Sequence, residues 1–178
     1  MIQEAKEAKD AKDGSNGCAL YAGKFVGPNE FHQLVRAALE TAAQHGWKEI
    51  IISDATFDDW PLGERGVVES LVAWAKTGRT LTILAGSYRD LVLRHPRFVV
   101  WRRTWDHVVS CRKCPAADSM PLPSAIWSPQ WALQRVDPAH NSTGWCGPEA
   151  QRRVRLREKL DEWLRQSSPG FPATTLGL

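Results

Sequence analysis

Two short runs decide the fold: Glu49-Ile50-Ile51-Ile52-Ser53-Asp54 and Leu81-Thr82-Ile83-Leu84. Each is a brief apolar, β-branched stretch, the mark of a strand buried in a sheet covered on both faces. Before the first, Phe31, Leu34, Val35, Ala38, Leu39 and Ala42 recur at helical spacing. They predict a helix over 29–45, with Asn29 as its N-cap and Gly46 as its stop. Between the two runs, Val67, Val68, Leu71, Val72 and Ala75 give a second helical face over 64–77, ended by Thr77-Gly78. The segment from Ser53 to Gly63 reads as a loop leaving the C-terminal end of the first run. Strand and helix alternating through short turns predict an α/β fold with a mixed, mainly parallel sheet covered by helices.

Outward from this centre the pattern loosens. Cys18 to Val26 is an expected first strand, ending at Gly27-Pro28. Tyr88 to Arg94 is an expected short helix, stopped by Pro96. Phe98-Val99-Val100-Trp101 and His107-Val108-Val109 read as strands, and Pro115 to Pro123 as a loop. Ala125-Ile126-Trp127 and Trp131 to Val136 pair as a hairpin across Ser128-Pro129-Gln130, and Asp137 to Pro148 is a turn-rich connection. Glu149 to Arg165 is a final amphipathic helix. One domain over 18–168 is expected, with a charged, frayed or disordered tail at 1–17 and a non-helical extension at 169–178.

Composition bounds the function. The 178 residues carry a net charge of +3, with 43% hydrophobic residues and a mean hydropathy of −0.37. That is a globular composition with enough apolar residues for one core. No apolar run exceeds five residues, far short of the roughly 18 a membrane span needs. The start of the chain alternates charge and has no aliphatic block, so no export signal is read and a cytoplasmic location with reduced thiols is expected. Charge is lopsided: residues 1–90 sum to −3 and residues 91–178 to +6. Tryptophan is also over-used, with nine Trp against two Tyr.

Three groups of residues carry candidate chemistry. Asp54, Asp58 and Asp59 cluster at the strand-end loop where α/β proteins place their sites. Carboxylates there suit Mg²⁺, but the spacing matches no metal loop, and loop capping is the expectation. Cys111-Arg112-Lys113-Cys114 has the CxxC spacing of a zinc site, with His107, His140 or Cys146 to complete it. There is no second CxxC, so two buried thiols without metal are the expectation, and no cofactor is called for. The third group is basic and aromatic. Arg94, Arg97, Arg102, Arg103, Arg112 and Lys113 surround Trp101, Trp105 and His107. Guanidinium groups grip phosphate through paired hydrogen bonds, and indole faces stack on bases. Trp101, Arg102, Arg103, Trp105, His107, Arg112 and Lys113 are therefore the ligand-binding candidates. Arg152, Arg153, Arg155, Arg157 and Lys159 give the final helix a basic face, read as solvated surface. Neither a Gly-x-Ser-x-Gly elbow nor a phosphate-binding glycine loop is present.

The order of helix 29–45, Glu49 to Asp54, helix 64–77, Leu81 to Leu84, Arg94-His95-Pro96-Arg97-Phe98, Trp105 to Val109 and Leu160 to Arg165 resembles one half of the phospholipase-D-like superfamily. Within it, the chain is similar to uncharacterised bacterial proteins built on that fold, over roughly residues 20–168. Active members carry His-x-Lys-x4-Asp, in which the His attacks phosphorus and the Lys grips its oxygens. Here the residues two places after the five histidines are Leu34, Trp47, Arg97, Val109 and Ser142, and none is Lys. The resemblance thus implies the fold without the chemistry. A non-catalytic module binding an anionic phosphate-bearing ligand, nucleic acid included, is the expected function. The alternatives are a phosphodiester hydrolase using His107, with Arg112 in place of Lys, and a protein-interaction or dimerisation module. A homodimer is implied by the resemblance alone, because single-half members commonly pair.

Overall fold

The computed structural model describes residues 19–76, 78–116, 121–138 and 140–172. The 1–17 tail lies outside these residues, as does 173–178 of the C-terminal extension. Eight strands form one sheet in the order β1-β7-β6-β5-β2-β3-β4-β8. They are β1 (Gly23–Phe25), β2 (Glu49–Asp54), β3 (Thr80–Ala85), β4 (Val109–Lys113), β5 (Ser124–Trp127), β6 (Ala132–Asp137), β7 (Thr143–Gly147) and β8 (Ser168–Pro169). The helices are α1 (Pro28–His45), α2 (Arg65–Trp74), α3 (Arg89–Arg94), α4 (Pro96–Thr104) and α5 (Ala150–Gln166).

The mixed sheet covered by helices is as expected. Parallel pairing is confined to β2–β3 and β3–β4, toward the β8 edge, and every other pairing is antiparallel. The parallel share read from the first half of the sequence therefore stops at β4. Helices α1 to α4 pack on one face over Ile50, Ile52, Leu81 and Ile83. Among the described residues, helix α5 alone packs on the other, over Ile51, Leu84, Ala125 and Trp127. The strict alternation along β2 is what lets one apolar run feed two cores.

Three sequence expectations are corrected. Phe98 to Trp101 is helix α4 and not a strand: Phe98, Val99, Trp101 and Arg102 are buried while Val100 is exposed, which is a helical repeat. Pro96 opens this helix at its first position, where its missing N–H costs nothing. The 137–148 connection contains β7, hidden by Gly144 and Gly147. Helix α1 is capped at Gly27, with Pro28 as its first residue, in place of Asn29. Other elements differ from expectation mainly at their ends. Gly46 ends α1 in the left-handed conformation, α2 stops at Trp74 short of 77, and the first strand is limited to Gly23–Phe25. Trp74 is fully buried, donating its indole N–H to the carbonyl of Trp47 at 2.7 Å.

Candidate functional site

The C-terminal ends of the parallel strands, where open α/β sheets carry their sites, meet a polar cluster centred on Asp54. Asp54 closes β2 and its Oδ1 accepts the backbone N–H groups of Thr56 and Phe57 at 3.0 and 2.9 Å. This is the capping role expected of a loop aspartate. Phe57 sits at φ 58 with its ring fully buried. A non-glycine residue there costs of order 1–3 kcal/mol and persists only when its surroundings fix it. They do: His95 Nε2 donates to the carbonyl of Phe57 at 2.7 Å, and His32 Nε2 to that of Asp59 at 2.6 Å. Both histidines buttress the 54–60 loop from behind.

The free oxygen of Asp54 faces Arg135 of β6. Arg135 Nη2 donates to Asp54 Oδ2 at 2.9 Å, and Nη1 to Asp59 Oδ2 at 2.5 Å. Its Nε donates to Ser124 Oγ at 2.7 Å, and its guanidinium lies 4.0 Å from the centroid of Phe31. The Arg135 side chain is 1% exposed. Burial alone pushes the Asp54 carboxyl up, but bonds from Ser124, Thr56 and Phe57 and the charge of Arg135 outweigh it and hold it below its ordinary range. Asp54, Asp58, Asp59, Thr56, Ser124 and Arg135 line one shallow cleft. Among the described residues no histidine or lysine lines this lobe. With three carboxylates against one cation that is already hydrogen-bonded, the cleft is acidic and repels phosphate.

Arg135 and Ser124 were not singled out from the sequence. One signal points to them. Leu133 and Ile126 are inward-facing hairpin residues, so period-two alternation sends Arg135 and Ser124 inward too, and a charge turned inward needs a partner.

The seven ligand-binding candidates do not converge. Trp101 is buried against Phe98, with ring centroids 5.5 Å apart. Arg102 is buried as well, its Nη1 on Asp106 at 2.7 Å. Arg103 and His107 are exposed beside the start of β4, where Trp105 is half-buried against the His107 ring. His107 itself falls in the turn before β4, not on the strand. Arg112 faces the other side of the sheet from Arg102, with Nε and Nη2 donating to the hydroxyl and carbonyl of Ser167 at 2.9 and 2.8 Å. Lys113 is exposed at the far end of the strand.

Cys111 and Cys114 are likewise separated. Cys111 packs into the core under α1 to α4 and Cys114 into the core under α5. An odd spacing along extended backbone turns the two thiols to opposite faces, so they do not share a metal ion. Among the described residues no group of three or more His, Cys, Asp and Glu is placed to hold one. Burial pushes Cys114 and Cys146 up to about 11, and raises Cys111 against the opposing charge of Arg102. All three thiols are expected to resist alkylation at pH 7 and to label only on denaturation. Peptide mapping after iodoacetamide checks this, and labelling of native Cys114 at the rate of a free thiol contradicts it.

No protein-family model and no curated protein matches the sequence. Solved structures do match. TrmBL2, described as an archaeal chromatin protein with a novel mode of DNA binding, aligns at TM-score 0.59 and 12% identity, over 83% of this chain and 54% of that one. The chain thus spans about half the length of TrmBL2. NucT from Helicobacter pylori aligns at 0.56 and 9% identity, over 83% of this chain and 97% of its own. Nuc from Salmonella typhimurium, a phospholipase D family member, aligns at 0.52 and 12% identity, over 84% and 98%. Identities this low speak for the fold alone. Together with the single helix-covered mixed sheet, they give the chain a phospholipase-D-like fold.

Proposed function

We propose that this protein is a non-catalytic phospholipase-D-like module that binds an anionic, phosphate-bearing polymer, with nucleic acid as the ligand class. The observation that carries the reading is the Arg135 cluster. At the strand ends, phosphodiester cleavage needs a nucleophile beside a free cation. The residues present there, Asp54, Asp59, Ser124 and Arg135, satisfy one another. The missing His-x-Lys-x4-Asp signature agrees with this. Binding then rests on cations outside the cleft. Arg103, Lys113, Arg155 and Lys159 are exposed and make no ion pair among the described residues. The fold likeness to a chromatin protein described as binding DNA supports the same ligand class.

The expected result is no turnover of bis(p-nitrophenyl) phosphate above background, with or without divalent cations, by protein that retards labelled DNA or RNA at low salt. Retardation weakens as salt rises, because neutralised phosphates release counterions. Turnover abolished by His107→Ala overturns the non-catalytic part. Failure to shift single- and double-stranded DNA and RNA at 20 mM salt overturns the ligand class.

A further inference from the structure

One helix does not cover an eight-stranded sheet. Strands lie about 4.8 Å apart and a helix is about 10 Å wide, so α5 shields two or three of them. Leu156, Leu160 and Trp163 seat it over β5 and β6, with Ile51 of β2 and Leu84 of β3 reaching the same core. Strands β7 and β1 lie beyond, with Trp145 of β7 packed against the margin of this core and Lys24 of β1 exposed. Strand register sets Trp145 opposite both Gln134 of β6 and Lys24 of β1, so the three side chains form one row across that face. Lys24 is exposed, and Gln134 and Trp145 are half-buried.

The cations of α5 sort by flank. Toward β2 they are occupied: Arg157 bonds Glu49 and Asp161, each at 2.8 Å, and lies 4.5 Å from the Trp127 centroid. Arg153 beside it donates to the carbonyls of Pro148 and Pro129. Toward β7 the helix presents Arg152, Arg155 and Lys159 at i, i+3 and i+7. Arg152 lies 5.2 Å from the Trp145 centroid, and Lys159 lines a cavity with Gln134 and Val136. By the same helical spacing, the carboxylates on this flank are Glu149, 3.0 Å from Arg152, Glu158, three residues after Arg155, and Glu162, which pairs with Arg165. Lys24, Arg155 and Lys159 make no ion pair among the described residues.

We infer that this trough between α5 and the β7–β1 side of the sheet binds single-stranded nucleic acid. Resting on the proposed function, it names the surface and the form of the ligand. Phosphates lie against Lys24, Arg155 and Lys159, and an unpaired base stacks on the Arg152–Trp145 pair. An indole set among cations on a sheet face suits a strand whose bases are free to stack, whereas a duplex hides those faces. The occupant follows from charge: among the described residues Lys24, Arg155 and Lys159 make no ion pair, while Glu149 and Glu162 are each paired with an arginine and Glu158 alone opposes them, a surplus of positive charge that complements a polyanion.

Fluorescence anisotropy with a labelled 12-nucleotide oligothymidylate, and with a duplex of equal length, tests this. The single strand is expected to bind tighter. Trp145→Ala weakens it about tenfold, in line with the loss of one stacked base. Arg155→Ala with Lys159→Ala lowers the slope of log K against log salt by about 1.4, at about 0.7 per lost phosphate contact. Thermal melting verifies that each variant is folded, and the surface pair Arg155→Ala with Lys159→Ala leaves the core untouched if Trp145→Ala does not fold. Wild-type binding that survives that pair, or that is lost instead in Arg103→Ala with Lys113→Ala, overturns the trough while keeping the proposed function. Equal affinity for the duplex, or equal competition by polyglutamate, overturns the single-strand assignment. No binding by the wild type overturns the proposed function and the trough together.

Discussion

Replacing Arg135 with Ala is expected to lower the free energy of unfolding by about 3–5 kcal/mol, the usual cost of removing one partner of a buried ion pair. Asp54 is left buried without its cation, Ser124 loses a donor, and Phe31 loses the guanidinium on its face. Domains of this kind have about 5–15 kcal/mol in total, so the variant stands near the edge of folding. A urea titration should show a lower midpoint at unchanged slope. Its pH dependence has a definite sign. Asp54 in the folded wild type lies below the ordinary carboxylate range, so its contribution is present at neutral pH and is lost as pH falls through the folded value. Without Arg135, burial pushes that carboxyl up, and the folded variant tolerates the protonated form. The difference between wild type and variant should therefore shrink on going from pH 7 to pH 3. A difference that grows on acidification contradicts the assigned pairing.

Gly144→Ala is expected to be at least as damaging, above about 4 kcal/mol, in the range reserved for identifiable steric or electrostatic faults. A β-carbon at this position would sit 2.2 Å from the carbonyl oxygen of Gln134 and 2.5 Å from the ring of Phe25. Neither neighbour gives way. Gln134 belongs to β6, which is paired on both sides, and the Phe25 ring is buried under α1. The strands must splay, and β1 with β7 is the expected casualty. Gly66→Ala in α2 is the control, because an added methyl there meets nothing within 4 Å. It should stabilise by about 0.5–1 kcal/mol through the helix propensity of Ala. Circular dichroism and urea midpoints for the two variants should move in opposite directions.

The elements legible in the sequence are those whose periodicity is uninterrupted. The face Phe31 to Ala42 and the runs Ile50 to Ile52 and Leu81 to Leu84 have one physical reading each, and all are found. Residues Phe98 to Trp101 have two readings. β-Branched composition favours a strand, while the helical repeat shows only once Val100 is known to face solvent and Arg102 to face inward. Strand β7 is illegible for a different reason. Its Gly144 makes room for Phe25 and Gln134, a tertiary demand that local composition cannot express. The candidate site divides in the same way. The capping role of Asp54 is local and legible. Its partner Arg135 is 81 residues away, and only the crossing of β5 between β2 and β6 brings it near. The basic cluster around Trp101 is the converse. Neighbours in sequence are dispersed because helix α4 and strand β4 turn successive side chains to different faces.

The two-residue strand at the C-terminal end sets how the sheet's outer margin meets other molecules. Strand β8 pairs Pro169 with Arg112 and Ser168 with Lys113 along β4. Proline has no N–H to offer a further strand, so the row of open donors and acceptors along β4 is terminated and not merely extended. Gly170 donates to the carbonyl of Cys111, and Phe171 stacks on Tyr88 with ring centroids 5.4 Å apart, so this terminator is itself held down. A chain shortened before Ser167 would lose only Phe171 from the margin of one core, yet present a bare parallel edge and strip Arg112 of its hydroxyl and carbonyl partners. Self-association into filaments, with the fold of each subunit intact, is the failure to expect from such a truncation.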